Sequence, residues 1–153
     1  MSAYWLFKSE PDVYSLDSLR LEKTGVGRWD GVRNYQARNF LRAAQVGDQV
    51  LFYHSNATPS GIVGIAEVVR TAYPDPTQFD SSSEYHDPKA TPEAPRWSAV
   101  DVRFVRAFPK LLSLEDLRQV PALDAMPLLK RGTRLSVMPV TPTEWAAILD
   151  LAG

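Results

Sequence analysis

The chain has 153 residues, 44% of them hydrophobic and 23% charged, with a formal net charge of −1 at pH 7. That length suits one domain with a real core, and the near-zero charge excludes a global basic field, so any contact with nucleic acid must come from a local patch. With no cysteine in the chain, disulfides and thiolate metal sites are excluded.

Residues 3–7 are aromatic and aliphatic and predict a buried strand, which stops before Pro11 because proline cannot donate to a central ladder. The chain enters this strand without a charged segment followed by an apolar one, so no signal peptide is expected. No apolar run is long enough to span a membrane, and a cytoplasmic (or nuclear) location follows by default. Ser15 caps a short helix carrying Leu16, Leu19 and Leu21, and residues 22–28, with two glycines, read as a loop.

The run Trp29-Asp30-Gly31-Val32-Arg33-Asn34-Tyr35-Gln36-Ala37-Arg38-Asn39 organises the rest. Asn34 is placed to cap a helix, since its side chain accepts from the free amides of the first turn. Ala37, Phe40, Leu41 and Ala44 then share one face, and Arg38 and Arg42 another, four apart. The helix ends before Gly47-Asp48. Its N-terminus suits an anion, and Trp29 and Tyr35 offer flat rings for a base to stack on.

Residues 49–55 predict a second buried strand, 56–61 a turn, and 62–69 a third strand in which Gly64 marks a bulge or a close backbone approach. The short turn makes these two strands an antiparallel hairpin. Residues 73–96 hold Pro74, Pro76, Pro88, Pro92 and Pro95 and read as a long loop, with Tyr73, Phe79 and Tyr85 packing parts of it down. Residues 98–108 alternate Val100, Val102 and Phe104 with Asp101 and Arg103, a strand with one dry face. Ser113-Leu114-Glu115-Asp116 has the form of a capping box opening a short helix over 114–120. A helical turn over 122–129, a turn at Lys130-Arg131-Gly132 and a strand over 135–140 follow. Thr141-Pro142-Thr143-Glu144 starts a closing helix with Trp145, Ile148 and Leu149 on its apolar stripe. Strands outnumber long helices, and nothing alternates as parallel sheets require. The expectation is a single α+β domain over 1–153, built on a curved, mostly antiparallel sheet or small barrel flanked by short helices.

Catalytic signals are weak. His54 and His86 are the only histidines, without ligand spacing or a nucleophile elbow. There is no phosphate loop and no dinucleotide fingerprint. No cofactor, metal or catalytic residue is expected. Binding signals are stronger. Lys8, Ser9 and Glu10 end the first strand, and His54, Ser55 and Asn56 end the second. If those strands are neighbours, both sets line one rim with the Trp29 run. Stacking rings and hydrogen-bonding edges together are what an extruded base needs, and Lys8, Arg33, Arg38, Arg42 and Arg131 could supply phosphate contacts. For Arg42 a solvated surface charge is the preferred reading.

The runs 4–11 and 29–39, with Gly47-Asp48, Phe52-Tyr53-His54-Ser55, Gly61-Ile62-Val63-Gly64, Tyr73-Pro74-Asp75, Tyr85-His86-Asp87-Pro88-Lys89 and Pro95-Arg96-Trp97, closely resemble the EVE domain family. The resemblance covers nearly the whole chain. It implies a PUA-like curved β-barrel flanked by short helices, related to YTH and ASCH domains. It also implies a non-catalytic module that reads a modified base in nucleic acid, modified cytosine in DNA foremost, by flipping it into an aromatic pocket. By resemblance Trp29 would be a pocket wall, with Ser9, Asn34, Tyr53, His54 and Ser55 around it, and the Tyr35 ring joins them as a stacking surface for the base. Lys8, Arg33, Arg38 and Arg131 are the residues expected to hold the flanking backbone. The partner is nucleic acid with a modified base, DNA before RNA, and the protein is expected to be a monomer away from membranes. The alternative is an ASCH-like binder or hydrolase of a small molecule or modified nucleoside, with Lys8 as its base.

Overall fold

The structure, a computed structural model, describes residues 3–130 and 135–153. Six strands form one sheet: β1 (Tyr4–Ser9), β2 (Val26–Trp29), β3 (Gln49–His54), β4 (Gly61–Pro74), β5 (Ser98–Ser113) and β6 (Val137–Val140), in the order β2-β5-β4-β3-β1-β6. Four α-helices flank it among the described residues: α1 (Leu16–Arg20), α2 (Tyr35–Ala43), α3 (Leu114–Arg118) and α4 (Pro142–Ala152). The α+β class and the mostly antiparallel pairing are as expected. The sheet is curved but open, with β2 and β6 as its edges, rather than a closed barrel.

One pair is parallel. β1 runs beside β3 with Tyr4 opposite Gln49 and Ser9 opposite His54. The segment carrying α1, β2 and α2 makes the long crossover that a parallel pair requires. This pairing places the C-terminal ends of both strands, Ser9 and His54, at the same rim, and the N–H of Ser55, just beyond β3, donates to the Ser9 carbonyl at 3.0 Å.

Side chains alternate across the sheet, so each strand feeds two cores. Trp5, Phe7, Val50, Phe52, Val100 and Val102 meet Leu16, Leu19 and Leu41 on the face covered by α1 and α2. Leu6, Leu51, Ile62 and Leu112 meet Leu117, Leu123, Met126 and Ile148 on the other, covered by α3, α4 and the 3-10 turns Pro121–Leu123 and Pro127–Leu129. The caps read from sequence are all present. Ser15, Ser113 and Thr141 close capping boxes, and the Asn34 side chain accepts from the Ala37 N–H at 2.9 Å.

Gly64 is a close approach, as expected. A Cβ there would lie 2.4 Å from the Arg106 carbonyl oxygen, and the β4–β5 register shifts beside it. Two expectations need correction. Residues 26–29 are a strand, not loop, because Val26 to Trp29 pair with Arg103 to Val100 at the sheet edge. β4 and β5 also run past the predicted ends, to Pro74 and Ser113, because each lines the other through successive bulges.

Candidate base-binding cavity

Between the β1–β3 rim, β2 and Tyr85 of the 75–97 loop lies a cavity of about 660 Å³. Trp29, at the end of β2, forms part of its wall although only 5% of its surface is exposed. Its ring is fixed from behind by Phe7 (centroids 5.2 Å apart) and by the edge of Phe52 (5.1 Å). Tyr14 stands edge-on to it at 6.3 Å and walls the cavity from the α1 side. Trp29 is therefore both a core residue and a cavity wall.

Around this aromatic wall are hydrogen-bonding groups of both kinds. Ser9, Ser55 and Ser136 bring hydroxyls from the rim. Glu10, Glu22 and Asp30 bring carboxylates, Lys8 and Arg28 cations. Arg28 and Asp30 are paired at 2.8 Å, and the Asn56 amide donates to Glu10 at 2.6 Å. Burial lowers the Lys8 pKa, and its ammonium stands 5.7 Å over the Tyr53 ring. The Tyr14 hydroxyl is buried without a hydrogen-bond partner, packed where a Cβ on Gly27 would collide with it. Burial, with Glu22 and Asp30 nearby, pushes its pKa up to about 12.

The cavity's outer wall is held by a polar clasp. Gly31, at φ +76°, gives its N–H to the fully buried Asp75 carboxylate at 2.8 Å, and a Cβ there would lie 2.8 Å from the Tyr85 ring. Arg33 donates to Asp75 (3.0 Å), to the Thr77 hydroxyl (3.0 Å) and twice to the Tyr85 carbonyl (3.0 and 2.7 Å). Burial pushes the Asp75 carboxyl up, but hydrogen bonds from Thr77, Gly31 and Arg33 outweigh it and hold the pKa below its ordinary value. Gln78 closes the far side, bonded to the 75 and 97 carbonyls and to the 96 and 97 amides.

Of the residues predicted for the base, the structure brings Ser9, Trp29 and Ser55 together at the cavity, with Lys8 beside them. Asn34, Tyr35, Tyr53 and His54 lie elsewhere. Asn34 is occupied as the α2 cap. Tyr53 packs in the opposite core. His54 accepts the Leu16 N–H on Nε2 at 3.1 Å, anchoring α1. Tyr35 is 47% exposed and stacks on Trp97. Among the predicted backbone-holding residues, Arg33 is committed to the clasp and Arg38 lies on α2 near Tyr35. Arg131 falls outside the described residues. Tyr14, Arg28, Asp30 and Tyr85 were not singled out for the site. Tyr14 left only a weak signal, an aromatic next to a helix cap, while Tyr85 acts from a loop whose packing its sequence does not state.

Fold and site together define a curved-sheet α+β domain with a lateral cavity walled by tryptophan. The chain matches the EVE domain family over residues 3–151 and belongs to it. A Pseudomonas putida protein of known structure is 56% identical, covering 99% of this chain and 100% of its own, with a TM-score of 0.95. Thymocyte nuclear protein 1 of Mus musculus is 43% identical over 99% of this chain and 74% of the relative. Human THYN1, solved in complex with 5-methylcytosine-containing DNA, is 40% identical over 99% of this chain and 98% of that one, with a TM-score of 0.94. The two solved relatives share the PUA-like fold that the family resemblance implies.

Proposed function

We propose that this protein is a non-catalytic nucleic-acid-binding module that takes an extruded modified base, methylated cytosine in DNA foremost, into the Trp29 cavity. The observation that carries the reading is the cavity itself, an aromatic wall ringed by acceptors and donors, in a chain akin to a human protein crystallised with 5-methylcytosine-containing DNA. A carboxylate is suited to accept from the exocyclic amine of cytosine, and Glu10, Glu22 and Asp30 are all present. Serine hydroxyls and the Lys8 and Arg28 cations supply donors for the ring nitrogen and carbonyl. A flipped base read by stacking and edge hydrogen bonds is an established way to inspect one nucleotide.

One observation favours the second reading, hydrolysis of a modified nucleoside. Lys8 lines the cavity with a pKa lowered by burial. Its ammonium over the Tyr53 ring fits a cation held by an aromatic face better than a free base.

The test is a titration of short duplexes carrying one plain, 5-methyl or 5-hydroxymethyl cytosine. Trp29→Phe is the informative variant, because Trp29→Ala removes core packing worth about 3–5 kcal/mol. The parent protein should prefer a modified duplex. Trp29→Phe should weaken that preference roughly fivefold, about 1 kcal/mol of stacking. Equal affinity for plain and modified duplexes in the parent would overturn the reading, and turnover of a modified nucleoside lost in Lys8→Ala would establish the second one.

A further inference from the structure

We propose that the exposed basic and aromatic surface of α2, formed by Tyr35, Arg38 and Arg42 with Arg96 of the neighbouring loop, is the path of the nucleic-acid strand flanking the base in the Trp29 cavity. A neighbouring base stacks on Tyr35, and phosphates lie on Arg38 and Arg42. This rests on the cavity reading above.

The platform is pre-built. Tyr35 is half exposed, and its inner face is stacked on the buried Trp97 ring, centroids 4.8 Å apart and 23° from parallel. The ring is thus held flat toward solvent with little freedom left to lose. An exposed aromatic fixed in this way is a stacking surface for any base, since every base has a π-face.

Positive charge is gathered around that ring. The Arg38 guanidinium is 4.7 Å from the Tyr35 centroid, and the Arg96 guanidinium, 6.0 Å away, is paired with Asp87 at 3.4 Å, so the unpaired charge is that of Arg38 and Arg42. Arg38 and Arg42 are one helical turn apart, and like charges at that spacing oppose the helix. The sequence of α2 carries no acidic residue to offset them. Among the described residues neither arginine is in an ion pair. Their partners are neutral: Arg38 donates to the Arg96 carbonyl (2.9 Å) and the Asn39 amide oxygen, and Arg42 to the Ser98 hydroxyl (2.9 Å). These bonds fix the side chains in place without neutralising them. In a chain of net charge −1, this is the local basic patch that phosphate contact requires.

A groove continues from the patch. Arg42, Tyr73, Pro74, Pro95 and Trp97 line a depression of about 380 Å³. At the other end the patch joins the cavity. The Arg33 guanidinium lies 5.4 Å from the Trp97 ring and 5.6 Å from the Tyr85 ring, and Tyr85 is a cavity wall. The surface between cavity and groove is therefore carried by Tyr85, Arg33 and Tyr35, with the buried Trp97 ring beneath them.

The experiment measures affinity for a short duplex carrying one 5-methylcytosine as a function of salt. The parent is compared with Arg38→Gln/Arg42→Gln, with the charge-preserving Arg38→Lys/Arg42→Lys, and with Tyr35→Ala. Losing two phosphate contacts should lower the slope of log affinity against log salt by roughly 2 in the glutamine pair. The lysine pair should keep it, and the ratio between methylated and plain duplex should not move. Tyr35→Ala should weaken duplex binding about tenfold while leaving binding of the free nucleoside 5-methyl-2′-deoxycytidine unchanged. A slope unaltered in the glutamine pair overturns the strand path, whatever the cavity does. Loss of methyl discrimination in the parent overturns the cavity reading instead, so the two failures are distinguishable.

Discussion

On one face of the sheet, Leu6, Leu51, Ile62 and Leu112 are sealed by Leu117, Leu123, Met126 and Ile148 from short helices and turns. On the other, Trp5, Phe7, Trp29 and Phe52 are covered by α1 and α2, and the rim is finished by Asp75, Arg33 and Gly31 through hydrogen bonds. The same six strands supply both. Mainly aliphatic side chains, with Tyr53, Phe108 and Trp145 among them, interdigitate and close the first face. Large rings and a polar clasp meet the second at fixed distances and leave a cavity between them. Density builds stability on one side, while directional bonds hold open a shaped space on the other. Substitutions on the aliphatic face should therefore cost stability alone, and those in the clasp both stability and binding.

The strongest way to break the polar side is Asp75→Asn. It leaves the Arg33 guanidinium without its carboxylate and weakens the bonds from Gly31 and Thr77. Breaking a buried pair costs about 3–5 kcal/mol, read as a lowered denaturation midpoint, and here base discrimination should fall with it because Tyr85 loses its support. The same group ties this face to acid. Its folded pKa is depressed, so its contribution is complete above the ordinary value of 3.8 and is lost as pH falls through the lower folded value.

Leu123→Ala tests the aliphatic side. Leu123 is fully buried, and the truncation should cost about 3 kcal/mol through lost contact and a residual void. Methyl discrimination by the folded protein should stay at the parent value. If it fell as it does for Asp75→Asn, the division of labour between the faces would be wrong.

The smallest effect concerns His54, which anchors α1 at the rim. Burial lowers its pKa against a weaker upward pull from Asp17. Nε2 must be unprotonated to accept the Leu16 N–H, and the ring meets the edge of Phe52. The unfolded chain takes up its proton first as pH drops. Stability is thus complete above about 6.5 and falls from there toward the depressed folded value. One hydrogen bond is worth about 1 kcal/mol, so the denaturation midpoint should slope gently below pH 6.5, and His54→Gln should flatten that slope. An unchanged slope would remove His54 from this role.

Local signals carried well where the physics is local. Ser15, Asn34, Ser113 and Thr141 cap helices because a short polar side chain reaches its own first turn, and that needs no tertiary partner. Alternation in 98–108 and the apolar stripe of α4 were equally readable, as was Gly64. Within the site, Trp29, Ser9 and Ser55 could be grouped because they end strands or sit beside a turn. β2 escaped notice because Gly25 and Gly27 look like loop, and only pairing with Arg103 to Val100 makes it strand. Tyr53 and His54 were misplaced for a related reason. Tyr53 packs into the core under α3 and α4, and His54, beside Phe52, is taken up by the Leu16 N–H, so adjacency to Ser55 did not put either of them in the cavity.

By itself the sequence determined the α+β class, the caps, the family and the aromatic heart of the cavity, since each follows from spacing or from a long specific run of residues. Only the tertiary structure decided that Arg33 would be consumed by Asp75 and Tyr85 while Arg38 and Arg42 stayed unneutralised. An arginine looks the same in sequence whether it clasps a loop or waits for a phosphate. Which it does depends on the carboxylates and carbonyls that distant segments bring within 3 Å of it, and that distance is set by the fold.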